Sequence, residues 1–217
     1  MRRIVAPMLA GDSLPEMPDD DLRFVQDLGL LRVTGEGGLV VANPIYREVI
    51  PRMLAAGPRA SLPQIAPTWL RPDGALDPDL LLDGFIAFWR QHGDPLLASA
   101  PYHEIAPHLV LMAFLHRVVN GGGTIEREYA VGSRRMDLCL RYRGVTLGME
   151  LKVWRSGEPD PLAEGLAQLD AYLAGLPLDH GWLVVFDRRE GRGPAASRTA
   201  ASRATSPTGR AITVLRA

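Results

Sequence analysis

RRMDLCLRYRGVTLGMELKV, residues 134–153, decides how this chain is read. Apolar residues alternate with polar ones on both sides of Arg143–Gly144, the pattern of two strands folded into a hairpin. Side chains along a strand point to opposite faces in turn. In the second strand Leu147, Met149, Leu151 and Val153 share one face, and Gly148, Glu150 and Lys152 share the other. In the first strand Met136, Leu138 and Leu140 form the apolar face, with Asp137 and Cys139 opposite. The hairpin therefore brings Asp137 and Glu150 side by side in a sheet that is otherwise apolar. Ionised groups are costly to bury without partners, so something must hold these two acids together.

A hard divalent cation with oxygen ligands suits two converging carboxylates, Mg²⁺ in particular, with Mn²⁺ as its substitute. Such an ion polarises a phosphoryl oxygen and lowers the pKa of bound water. Lys152 is placed to steer the attacking water or to stabilise charge building on a phosphate. Of the 24 basic residues, 23 are Arg and one is Lys, at position 152. An ammonium is a compact, tunable point charge and a guanidinium a wide planar fork, so a site needing the former accounts for the exception. The competing reading of Asp137, Glu150 and Lys152 is a structural ion-pair cluster.

Outward from the hairpin, TIEREYAV precedes it as a strand and PYHEIAPHLVLMAFLHRVVNGGG as a long helix closed by Asn120 and three glycines. DPDLLLDGFIAFWRQHG is an earlier helix with Asp77 as cap and Pro78 at its first position. After the hairpin, DPLAEGLAQLDAYLAGL reads as a helix capped by Asp160, GWLVVFD as a buried strand and AITVLR as a final strand. The order ααβββαββ predicts an α/β domain with a mixed sheet over residues 75–217. Residues 188–217 carry 7 Arg against one Glu, and the Arg-, Ser- and Gly-rich part reads as a solvated loop or a phosphate-tracking arm.

Residues 57–74 contain four prolines and two glycines and read as a linker. Residues 1–56 read as a small winged-helix-like α+β module: DDDLRFVQDLG as a helix, a glycine-turned hairpin, then PIYREVIPRML as a second helix. Six basic residues stand there against eight acidic ones, which favours packing or protein contact over phosphate binding.

The bulk composition is 47% hydrophobic and 23% charged with formal net charge −1, and no apolar run approaches the ~18–20 residues that span a bilayer. MRRIVAPMLAGDS is interrupted by Pro7 and lacks the long apolar core of a signal peptide. Cys139 is the only cysteine, which excludes an internal disulfide and a thiolate zinc cage, and a reducing cytoplasm is expected. No P-loop sequence is present.

Asp137, then Glu150-Leu151-Lys152 on the next strand, resembles the motif of the PD-(D/E)XK nuclease superfamily, whose core follows the same α-β-β-β-α-β order. The resemblance implies a restriction-endonuclease-like fold and Mg²⁺-dependent hydrolysis of DNA. It implies Asp137 and Glu150 as metal ligands, the Leu151 carbonyl as a further one, and Lys152 as the residue assisting hydrolysis. The usual Pro before the Asp is replaced by Met136. Many branches add Gln-x-x-x-Tyr on the following helix. Gln168 and Tyr172 match it, about 40° apart on a flank away from the Leu162, Leu166, Leu169, Leu173 stripe. Some branches use a Glu of the preceding helix as an extra ligand, for which Glu104 is the candidate; a Glu there also suits a helix's first turn.

VQDLGLLRV, GLVVANPIYREVIPRML, NGGGTIEREYAVG and LVVFDR are similar to the C-terminal portion of prokaryotic AAA-like ATPases that end in such a nuclease domain. This resemblance covers nearly the whole chain, without the nucleotide-binding core. It implies DNA, an AAA-like ATPase or a second copy as partners, and no membrane. Arg134 and Arg135 are candidates for phosphate contact or for salt bridges. His108, Cys139 and Trp154 read as packing residues, and Glu126 and Glu128 as solvent-exposed. Two functions follow: a Mg²⁺-dependent nuclease, or a non-catalytic nuclease-fold remnant serving as a protein- or DNA-binding module.

Overall fold

The computed structural model describes residues 19–27, 31–33, 39–41, 68–99, 106–119, 122–131, 134–176, 178 and 180–217. Two compact units divide the chain: Met1–Leu62 with Leu96–Ala113, and Pro63–Pro95 with Phe114–Ala217.

In the first unit, helix α1 (Asp19–Asp27) opens on three aspartates, which suit the positive end of a helix dipole. Strands β1 (Leu31–Val33) and β2 (Leu39–Val41) pair antiparallel, with Leu31 opposite Val41. The second helix expected over 44–54 lies outside the described residues.

The remaining elements are α2 (Pro78–Ser99), α3 (Ala106–Val119), β3 (Gly123–Val131), β4 (Arg134–Tyr142), β5 (Val145–Trp154), α4 (Leu162–Gly175), β6 (His180–Asp187), α5 (Ala195–Arg198), β7 (Ala200–Thr205) and β8 (Ala211–Arg216). The chain is α/β, with a six-stranded mixed sheet in the order β3-β4-β5-β6-β8-β7. Strands β3, β4 and β5 form an antiparallel meander. Helix α4 then carries the chain across to β6, which runs parallel to β5, as β8 does to β6.

One strand more is present than the alternation of the sequence announces. Residues 188–210 are neither a solvated loop throughout nor a free arm: they hold α5 and β7, and β7 pairs antiparallel along the outer edge of β8. Helix α2 also outruns its expected stop at Gly93 and continues through Pro95 to Ser99. A proline inside a helix costs about 3 kcal/mol. Burial of Phe85, Phe88 and Trp89 before it and of Leu97 after it offsets that cost. At the other end the Asp77 carboxylate caps α2, accepting from the backbone N–H groups of Asp79 and Leu80 at 3.0 and 3.2 Å. Residues 68–76, at the end of the proline-rich stretch, form a turn closed by a Leu70–Leu76 bridge, and Trp69 packs edge-on against Phe114.

Each sheet face has its own cover. On one face Phe186 meets Trp89 of α2, with ring centroids 5.1 Å apart. On the other, Leu169, Tyr172 and Leu173 of α4 pack with Met136, Cys139, Leu183, Val185 and Val214. Two glycines let α4 approach. Gly148 and Gly181 are register partners on β5 and β6. A Cβ on Gly148 would lie 2.6 Å from Met136 Sδ and 3.1 Å from Leu173 Cδ2. On Gly181 it would lie 2.9 Å from the Gly148 carbonyl oxygen and 3.2 Å from both Leu173 methyls. Leu173 thus seats in a notch that only absent side chains leave open.

Candidate functional site

The β4–β5 ladder runs from Tyr142↔Val145 to Leu138↔Met149 and stops there, although both strands continue. Past that point the Asp137 carboxylate accepts a 2.7 Å hydrogen bond from the Leu151 N–H. A side-chain oxygen thus takes the place of a backbone carbonyl between the two strands. The N–H and C=O of one strand residue point toward the same neighbouring strand, so the Leu151 carbonyl faces β4 too.

Strict alternation on β4 fails at the same place. Met136 does not remain with Leu138 and Leu140 but joins Cys139 in the cluster under α4. An unbranched, flexible thioether reaches the space beside Gly148 that a stiffer side chain would not.

Glu150 follows the expected alternation and sits on the α4 side of β5, with 5% of its side chain exposed. Its Oε1 is 3.4 Å from the Lys152 ammonium. Its Oε2 is buried and finds no hydrogen-bond partner among the described residues. Burial, reinforced by the Asp137 carboxylate and only partly opposed by Lys152, pushes the Glu150 carboxyl up to about 8. An acid in this state is set to lose its proton to an approaching cation.

Lys152 is held from three sides. Besides Glu150, its ammonium donates to the Gln168 side-chain oxygen at 2.5 Å and to Glu164 Oε1 at 3.3 Å. Gln168 in turn donates its amide to Glu164 Oε1 at 2.9 Å, closing a small ring between β5 and α4. Glu164 is absent from the sequence reading. Its signal was its place one helical turn before Gln168, on the same face of α4.

Of the residues expected to form a site, the structure brings Asp137, Glu150, Leu151, Lys152 and Gln168 together. Tyr172 is placed differently. It does not share a separate flank with Gln168 but lies in the core cluster beside Leu169 and Leu173, 9% exposed. A position 40° from Gln168 still falls within the wide apolar face of a helix covering a sheet. Glu104 lies outside the described residues, as do the side chains of Arg134, Arg135 and Glu128. Cys139 is fully buried, and burial raises its thiol pKa, as suits a core residue. Glu126 is half-buried and 3.9 Å from Arg141. Trp154 packs against the α4 cluster and carries the Arg189 guanidinium 3.2 Å above its ring.

Among the described residues no group of three or more His, Cys, Asp or Glu side chains is arranged to hold a metal. The fit of a divalent ion therefore rests on two carboxylates and the Leu151 carbonyl. An orphaned, buried Glu150 oxygen next to a second acid is the chemistry such an ion would satisfy.

A second carboxylate on α4 does purely structural work. Asp170 is buried and accepts from the Ser206 and Thr208 hydroxyls and from Arg210, each at 2.7 Å. Burial alone would raise its pKa, but these donors overcome that and hold it at about 2. They tie α4 to the β7–β8 turn, so the helix bearing Gln168 is fixed at both edges.

No helix among the described residues is long and apolar enough to cross a membrane. Compared with known proteins, the chain matches no family model, no curated protein and no solved structure.

Proposed function

We propose that this chain is a Mg²⁺-dependent nuclease that hydrolyses DNA phosphodiester bonds. In this reading residues 75–217 form a restriction-endonuclease-like, PD-(D/E)XK domain and residues 1–56 a winged-helix-like module. Glu150 carries the reading: a buried carboxyl at about 8, one oxygen without a partner, a second acid on one side and the chain's single lysine on the other. A structural ion pair has no need of the repelling Asp137. The antiparallel meander, crossover helix and parallel strand that bear these residues support it further.

Asp137, Glu150 and the Leu151 carbonyl would hold the ion, with Mn²⁺ as its substitute. Once bound, it would polarise a phosphoryl oxygen and acidify a coordinated water. Glu150 would give up its proton to serve as a full negative ligand. Lys152, already oriented by Gln168 and Glu164, donates a hydrogen bond to the attacking water or to the phosphate oxygen on which charge builds. Gln168 is a positioning residue that fixes where the ammonium points. Tyr172, one turn further on α4, is assigned with Gln168 to orienting the ligands or the strand, from its place in the core cluster. Arg134 and Arg135, next to the metal strand, are assigned to the DNA backbone, and an AAA-like ATPase or a second copy of the chain to the partner role.

Purified protein is expected to nick or degrade DNA in Mg²⁺ or Mn²⁺, with Glu150→Gln and Lys152→Ala both inactive. Equal cleavage by wild type and both variants would refute the assignment.

One observation favours a second reading, a non-catalytic nuclease-fold module that binds protein or DNA. Lys152 already has three acceptors, and among the described residues no three acids are arranged to hold a metal. Calorimetry separates the two: the nuclease binds Mn²⁺ at Glu150, whereas the module gives no heat.

A further inference from the structure

The loop between β6 and α5 folds over the carboxyl ends of the parallel strands and closes an open cleft of about 330 Å³. Four guanidiniums line it, from Arg188, Arg189, Arg192 and Arg198, against two carboxylates, from Asp94 and Asp187. Two positive charges are therefore in excess. The acids are already engaged. Asp187 takes Arg189 in a two-point pair at 2.8 and 2.7 Å, with Arg192 Nε at 3.3 Å. Asp94 Oδ2 accepts the Ala195 N–H at 2.9 Å, leaving Oδ1 4.0 Å from Arg198.

Arg188 and Arg198 keep donors that these acids do not take up. Arg198 spends Nη1 on the carbonyl oxygens of Asp187 and Ala217, but its Nε is buried with no partner among the described residues. The Arg188 guanidinium has neither an ion pair nor a hydrogen bond among them. Arg188 is an exposed residue of the cleft lining, and its pKa is lowered, first by partial desolvation and then by the like charge of Arg198.

Converging guanidiniums without matching acids form a seat for an oxyanion. A phosphate monoester fits the excess best, with a charge near −2 and three terminal acceptor oxygens; a carboxylate supplies one charge and two oxygens. The seat is also connected to the candidate catalytic strand. The Arg188 N–H donates to the Trp154 carbonyl at 2.8 Å, and Trp154 is two residues beyond Lys152 on β5. Along the strand that separation is about 7 Å.

We propose that this arginine cleft binds a terminal phosphate group, a dianion with at least three free oxygens, through Arg188, Arg192 and Arg198. The ligand is either inorganic phosphate or the terminal phosphate of a nucleic-acid strand. The site stands on its own residues, whether or not Asp137 and Glu150 hold a metal.

Calorimetry in EDTA, so that no strand is cut, tests it with three ligands: inorganic phosphate, a short oligonucleotide with a 5′-phosphate, and the same oligonucleotide with a 5′-hydroxyl. Arg188→Gln removes a guanidinium that the fold does not use. Arg203→Gln removes an equal charge from the exposed strand β7, outside the cleft. Phosphate is expected to bind wild type and Arg203→Gln equally, and Arg188→Gln at least tenfold more weakly with an unchanged unfolding temperature. A phosphorylated strand that outcompetes both inorganic phosphate and its hydroxyl counterpart identifies a strand end as ligand; preference for inorganic phosphate identifies the free ion. No phosphate heat with wild type, or equal weakening by both substitutions, overturns the proposal.

Discussion

The Gln168 side-chain oxygen accepts a 2.5 Å hydrogen bond from the Lys152 ammonium, joining helix α4 to strand β5 at the one lysine of the chain. A flexible four-carbon stem is thereby confined to one direction. Removing the acceptor with Gln168→Leu should lower DNA cleavage about 10–100-fold, the range for residues that orient a catalytic group. Its pH–rate profile should shift, because the ammonium would then lean on Glu150 and Glu164 alone. A purely structural Gln168 would lower the unfolding temperature and leave the profile in place.

Stability should depend on pH through Glu150. Its carboxyl is raised from an ordinary 4.5 to about 8, so between these values the unfolded chain has released a proton that the folded chain keeps. The folded state is penalised over that window, and this contribution to stability falls as pH rises, by up to about 1.4 kcal/mol per unit. Urea titrations at pH 5, 6, 7 and 8 should show the decline in wild type and a flatter dependence in Glu150→Gln. Identical slopes in the two proteins would mean that Glu150 ionises normally.

Divalent ion binding should release a proton by the same linkage. At pH 7, Mn²⁺ titrations in buffers of different ionisation enthalpy should report close to one proton per ion, and Glu150→Gln none. Affinity should rise toward pH 8. Binding without proton release would place the ion elsewhere.

Asp170 reports on the opposite edge of α4. Its pKa is held at about 2, below an ordinary 3.8, so its stabilisation is complete above pH 4 and disappears as pH falls toward 2. Asp170→Ala should cost about 3–5 kcal/mol, since it leaves Arg210 facing a partly buried gap. Denaturation at pH 7 measures the loss, and the variant should lack the wild type's acid sensitivity in that range.

Placing an alanine at Gly181 should destabilise the protein by about 1–3 kcal/mol, because its methyl meets the Gly148 carbonyl oxygen, which cannot swing aside as a side chain can. Gly148→Ala should cost less if Met136 rotates away. Thermal melts compare the two. An unchanged Gly181→Ala would mean that α4 does not press on the sheet there.

Period-two patterning made Glu150 and Lys152 legible, because β5 keeps an unbroken parallel register with β6 from Gly148 to Trp154. Asp137 was legible as a residue but not in its geometry: nothing in MDLCL announces that the ladder ends at Leu138 or that Met136 crosses to the other face. Tyr172 was legible as a residue but its burial beside Leu169 and Leu173 was not, because a helix on a sheet buries a face wide enough to include it. Strand β7, AASRAT, has no apolar rhythm and lies almost wholly exposed; it exists because β8 offers it an edge. Arginines 189, 210 and 216 were visible as charge, but Asp187, Asp170 and Asp160 become their partners only once strands and helices are in place.

The notch at Gly148 and Gly181 acts as an indexing key for α4. Leu173 drops into it, and Gln168 lies five residues upstream on the same rod, about 7.5 Å along the axis. Were the helix to slip by one residue, Gln168 would swing through about 100° and lose the lysine. Two positions without side chains therefore decide where the ammonium of Lys152 is aimed.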